Sequence, residues 1–167
     1  LLVWVFVLVM ILGPLLFVYF KYISPIGVKK PHLEKPQIQE NFIENEDVVE
    51  KETVNYIANE MGAYKLHKDP ISGEIPEIEF VIEDTDKVFT VYVKDGKPVT
   101  EEGEAINPDL RVRGSQIVII NILNSEEIQT KIVEYTKKGK IKVDVLAKEK
   151  TLAMKGYKAV YDTLSKG

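Results

Sequence analysis

Residues Leu1 to Phe20, LLVWVFVLVMILGPLLFVYF, contain no charged side chain. No other feature constrains the chain as strongly. As a helix this run would span about 30 Å at 1.5 Å per residue, which matches the hydrocarbon thickness of a bilayer. A soluble helix shows a polar stripe at 3.6-residue spacing, and this run shows none. Tyr19, Lys21 and Tyr22 stand at its C-terminal end, where an aromatic belt and a snorkelling lysine belong. Gly13-Pro14 falls mid-span and predicts a kink. A cleaved signal peptide is the competing reading. Its apolar core would be shorter, and a small-x-small cleavage site would follow. Residues 1–23 are therefore expected to be a transmembrane helix. The first residue is Leu rather than Met, so residues preceding it bear on topology. The visible flank carries Lys21, Lys29, Lys30 and Lys35 against Glu34. By the positive-inside tendency the soluble part is expected on the cytoplasmic side of a cell membrane, behind a single pass.

From Lys21 onward the chain is an ordinary charge-rich sequence. A net charge of −4 over 167 residues gives no electrostatic footprint for nucleic acid. The absence of cysteine removes disulfides, thiolate metal sites and cysteine nucleophiles together. No Asn-x-Ser/Thr acceptor is present. Pro25, Pro31 and Pro36 forbid helix interiors, and Glu40, Glu44, Glu46 and Asp47 follow. Residues 24–46 are read as a tether, and 47–167 as the folded domain.

Within that domain, Val49, Val54, Ile57, Ala58 and Met61 predict an amphipathic helix over Val48 to Tyr64, ended by Gly62. Residues Lys65 to Pro76 read as a loop. Ile78, Phe80 and Ile82 alternate with Glu77, Glu79 and Glu83, a period of two. Phe89, Val91 and Val93 form the apolar face of a second strand, and Asp95-Gly96 is a hairpin signal leading into a third. Leu110 to Arg113 is a fourth strand. Ser115 is placed to cap a helix through Leu123, and Ser125 a second carrying Ile128, Ile132 and Tyr135. Ile141, Val143 and Val145 predict a last strand, and Thr151 to Leu164 a closing helix. Hairpins followed by helices predict an α+β fold: a mainly antiparallel sheet of about five strands covered by helices.

Three pieces of this order resemble the sterol carrier protein 2 (SCP2-like) lipid-binding domain. KVFTVYVKDGKPVTEEGE is similar to that family's hairpin. NPDLRVRG resembles its short strand entering the next helix. GKIKVDVLAKEKTLAMKGYKAV is similar to its closing strand and helix. The resemblance runs from about Val48 to Leu164. It implies a five-stranded sheet and helices around an apolar tunnel for a lipid, sterol or fatty-acyl chain, without catalytic residues or cofactors. The chain ends Ser165-Lys166-Gly167 rather than in the peroxisomal Ser-Lys-Leu address.

Phe89, Val91, Val93, Ile117, Ile120, Leu123, Ile128, Ile132 and Met154 are the expected tunnel lining. The helix through Leu123 is apolar nearly all round, which means either a ligand on one side or protein layers on both. Met154 suits an irregular apolar ligand, though such residues are more often core. His32 and His67 have no acidic neighbour at metal-ligand spacing. Glu101-Glu102 and the pair Asp84 and Asp86 read as solvated charges. Arg111 and Arg113 face either an anionic headgroup or the acidic strand Glu77/Glu79/Glu83, the second being favoured. No nucleophile elbow, phosphate loop or metal box is present. Two functions are left. One is a membrane-anchored, non-catalytic module that binds or presents a lipid or acyl ligand. The other is a structural or accessory subunit among other membrane-protein subunits or in a surface filament, with no ligand. An open interior of a few hundred Å³ would support the first, and a close-packed one the second.

Overall fold

A computed structural model describes residues 28–38 and 48–165. The expected transmembrane run lies outside the described residues. Among the described residues no helix is long and apolar enough to cross a membrane.

Five strands form one sheet: β1 (Glu77–Ile82), β2 (Lys87–Lys94), β3 (Lys97–Glu102), β4 (Leu110–Gly114) and β5 (Lys142–Val145). Their spatial order is β3-β2-β1-β4-β5. All pairs are antiparallel except β1 with β4, which run parallel. The chain therefore builds the hairpins β1-β2-β3 on one side of β1, then crosses to place β4 on the other. Alternation decides which face is buried. Ile78, Phe80, Ile82, Phe89, Val91, Val93, Leu110 and Val112 all point to one side and are all buried. Asp95 and Gly96 both have positive φ, 52° and 73°, as a tight two-residue turn demands.

The helices cover that face. They are α1 (Lys51–Glu60), α2 (Gln116–Leu123), α3 (Ile128–Lys137), α4 (Glu149–Met154) and α5 (Lys158–Ser165), with a 3₁₀ turn over Ala63–Lys65. Val54, Ile57 and Ala58 of α1, Ile119, Ile122 and Leu123 of α2, and Ile132 of α3 join the strand side chains in a single apolar core. Burying an aliphatic side chain of this kind contributes roughly 1.5–3 kcal/mol, so this interface dominates the fold.

Three local features depart from the sequence reading. The Ser115 side chain makes no capping bond. The Gln116 N–H donates instead to Asp84 Oδ1 at 2.7 Å, so a carboxylate from the β1-β2 turn satisfies the start of α2. The closing helix is two helices, because Gly156 adopts φ 82° between them. A Cβ there would meet His67 Nε2 at 3.1 Å and the Lys65 carbonyl oxygen at 3.3 Å, so only glycine fits the close approach. Finally, part of the proline-rich tether lies on the domain. Lys30 pairs with Glu60, and Asn59 Nδ2 donates to the Pro31 carbonyl at 3.1 Å. Ile38 packs against the core.

Candidate functional site

The interior between the sheet and α2-α3 is where the tunnel lining was expected. The structure brings Phe89, Val91, Val93, Ile120, Leu123, Ile128 and Ile132 into the core. Ile117 is a correction. It is 47 % exposed, because it shares the outer stripe of α2 with Asn121 and the following Asn124, which are also exposed. The 3.6-residue period puts 117, 121 and 124 on one line facing away from the sheet. Met154 is half-buried on α4. It does not belong to the buried cluster that holds the other seven.

Among the described residues this interior is close-packed. Between Phe80, Val112 and Val143 of the sheet and Ile57, Met61, Ile119, Ile122 and Ile132 of the helices, the remaining space is about 10 Å³. That is at most the room for one water molecule. The seam is lined by apolar side chains alone. The helix that sequence left between two explanations is thus enclosed by protein layers on every side except the stripe at Ile117.

A second site was not foreseen. An open groove of about 870 Å³ runs past Ile75, Ile106 and Leu146 to a polar floor at Asp109 and Lys155. Lys155 Nζ donates to both carboxylate oxygens of Asp109, at 2.8 and 3.1 Å. The Tyr157 hydroxyl donates to Asp109 Oδ2 at 2.9 Å, and the Glu77 N–H donates to the same oxygen at 3.0 Å. Burial, reinforced by the neighbouring Asp109 charge, pushes the Tyr157 hydroxyl far above its ordinary value, so it remains a donor. The Asp109 carbonyl also accepts from the N–H groups of Leu146 and Ala147. One carboxylate and its backbone therefore tie together the starts of β1 and β4, the end of β5 and the α4-α5 turn. Both Asp109 carboxylate oxygens are thereby engaged, which makes the cluster a clamp between these elements. The sequence signal was Lys155, a lysine sitting between the apolar Leu152 and Tyr157.

On the outer face of the sheet, Arg111 pairs with Glu79, as the reading against the acidic strand expected. The loop before β4 folds over this pair, with the Ala105 N–H donating to Glu79 Oε2 at 3.1 Å. Arg113 instead meets Asp144 on β5 at 2.7 Å. Glu83 takes Lys142 at 3.4 Å. Among the described residues no three His, Asp or Glu side chains are placed to share a metal ion.

No family model and no curated protein matches the chain. Solved structures similar to it include the stereoselective inverting sec-alkylsulfatase Pisa1 from Pseudomonas sp., at 18% identity and TM-score 0.33. That match covers 53% of this chain, which spans only 13% of the sulfatase. A second is the ubiquinone synthesis protein UbiJ-SCP2, at 8% identity, TM-score 0.41, and 68% and 90% of the two chains. A third is palmitated SCP2L2 from Aedes aegypti, at 18% identity, TM-score 0.37, and 65% and 91%. At these scores each is a likeness and carries no further weight.

Proposed function

We propose that the chain is a non-catalytic module, held at a membrane by Leu1–Phe20, that takes a lipid or fatty-acyl chain between its sheet and its helical layer in the manner of SCP2-like domains. The sequence resemblance to SCP2-like domains carries this reading, and the seam offers it an apolar lining. That lining from β1, β4, β5, α1, α2 and α3, with Met61 and Ile141 beside them, is wholly apolar, with no polar side chain to desolvate. Each methylene moved there from water contributes about 0.8 kcal/mol, which an acyl chain sets against the packing lost when the filled interior opens. The order of hairpin, short strand and closing unit supports the same reading.

Because the resting interior is filled, entry requires α2 and α3 to part from the sheet. Met61 at the seam has the unbranched, adaptable side chain that such a wall needs. The domain faces the cytoplasm on this reading, as the lysines flanking the anchor favour.

The closed interior favours a second reading, an accessory subunit with no ligand, bound to other membrane-protein subunits through its surface. Photolabelling separates the two. A diazirine fatty acid is added to membranes holding the full chain, and crosslinked residues are mapped by peptide mass spectrometry. Labels at Phe89, Ile120 or Ile132 support the ligand reading. Labels confined to Leu1–Phe20 and to exposed residues overturn it in favour of the accessory subunit.

A further inference from the structure

The sheet register gathers several chain segments at one end. Glu77, the first residue of β1, lies opposite Tyr92 near the end of β2, and Ile78 lies beside Leu110 at the start of β4. Leu110 in turn faces Val145, the last residue of β5. The β2-β3 turn at Asp95-Gly96 is at this end too. Here the chain exposes Ile75 just before β1, Ile106 in the loop before β4, and Val145 and Leu146 at the end of β5. Ile71, in the loop leading to Ile75, is exposed as well, and Ile106 is 89 % exposed. Val28 belongs to the same end, since a methyl group on Gly96 would touch its Cγ1 at 3.8 Å. Among the described residues only eight large apolar side chains are exposed, and these are six of them. Scattered exposed apolar residues need no explanation, but a concentration at one end does.

The path of the chain supplies the occupant. Val28 follows Phe20 by eight residues, and eight residues at full extension reach about 28 Å at most. No described residue stands nearer in sequence to the apolar run. We infer that this end of the domain rests on the bilayer surface from which the chain emerges, with Ile71, Ile75, Ile106 and Leu146 entering the interfacial region. The inference rests on reading Leu1–Phe20 as the anchor. Charge does not select the lipid: Lys68, Lys94 and Lys148 are interspersed at this end with Glu74, Asp95 and Glu149. Burial of apolar side chains carries the contact, and an uncharged phosphatidylcholine surface satisfies it. The groove mouth at Ile75, Ile106 and Leu146 is thereby held next to the lipid phase.

The test uses the cysteine-free full chain reconstituted in phosphatidylcholine vesicles. Single cysteines carry an environment-sensitive fluorophore at Ile106, at Leu146, at Glu83 on the opposite end of the sheet, and at Lys21 beside the apolar run. Spin-labelled lipid is then added as the quencher. The expected result is loss of most emission at Lys21, Ile106 and Leu146, with emission at Glu83 unchanged. Ile106→Asp, at an exposed site, should weaken quenching at Leu146 without moving the melting temperature. Quenching at Lys21 but not at Ile106 or Leu146 overturns the docking face and leaves the anchor standing. No quenching at any site overturns the anchor reading with it. Probes at Ile106 and Leu146 that are shielded from water yet not quenched by lipid would show protein covering this end, which also overturns the inference.

Discussion

Asp109→Ala removes the carboxylate on which Lys155, Tyr157 and the Glu77 N–H converge. The two charged side chains are 4 % and 3 % exposed, so both ions are largely withheld from bulk water while the fold is intact. Breaking a buried pair by deleting one partner costs about 3–5 kcal/mol, because an uncompensated charge is left behind. One neutral donor, the Glu77 N–H, is orphaned besides, worth about 1–3 kcal/mol if fully sealed from water, while the Tyr157 hydroxyl keeps the Glu77 carbonyl at 3.4 Å. The adjoining groove admits water to part of this cluster, which holds the total near 3–5 kcal/mol rather than the sum. Against a domain stability of about 5–15 kcal/mol, that is a large fraction. Lys155→Met should cost less, since Asp109 keeps the Tyr157 hydroxyl and the Glu77 N–H. Urea unfolding of the full chain in detergent micelles, followed by far-ultraviolet circular dichroism, measures both. A loss under about 1 kcal/mol for Asp109→Ala is what an exposed pair gives. It would refute the clamp by showing that Lys155 swings into solvent.

Three other outcomes are expected. Ile122→Ala, fully buried in the seam, should cost about 2–5 kcal/mol, whereas Ile117→Ala on the exposed stripe should stay within about 0.5 kcal/mol, both read from the same urea curves. Gly156→Ala should lower the melting temperature, since a left-handed non-glycine residue costs about 1–2 kcal/mol and the new Cβ meets His67 and Lys65; no change would mean that the α4-α5 turn repacks freely. The Glu134 carboxyl is held down to about 2 from 4.5 by hydrogen bonds from Lys138 and Lys131, so it contributes stability above the ordinary value that is lost as pH falls towards 2; Glu134→Gln should flatten the melting-temperature profile in that acidic window, by a small amount because the pair is exposed.

The sheet was legible because its signals are local. Ile78, Phe80 and Ile82 alternate with acids within one strand, and Asp95-Gly96 fixes the turn that follows β2. The parallel pairing of β1 with β4 is not local, and no residue pattern announced it. The closing helix read as continuous because Leu152, Tyr157, Val160 and Tyr161 keep an apolar side. Only the positive φ of Gly156, imposed by His67 and Lys65 from a distant loop, divides it. Ser115 looked like a cap by type and place, yet Asp84 came from the neighbouring turn to do the work. Asp109 and Lys155 are far apart in sequence, so their pairing was invisible until the fold joined β4 to the α4-α5 turn. Prolines excluded helix from residues 28–38, where the chain is extended, but they say nothing about whether such a segment lies on a surface, as Lys30, Pro31 and Ile38 do. Apolar periodicity located the interior, and the same pattern serves a filled core and a hollow one. That is why Phe89, Ile120 and Ile132 were found as interior residues while the volume between them was not.

Native mass spectrometry of the full chain, extracted with mild detergent from the membranes in which it is made, tests the central claim most directly. The account predicts a fraction of molecules whose mass exceeds the polypeptide by that of a lipid or fatty acid. A chain that carries only its own mass, or the mass of a stoichiometric protein partner, would contradict the ligand-binding account and leave the accessory subunit in its place.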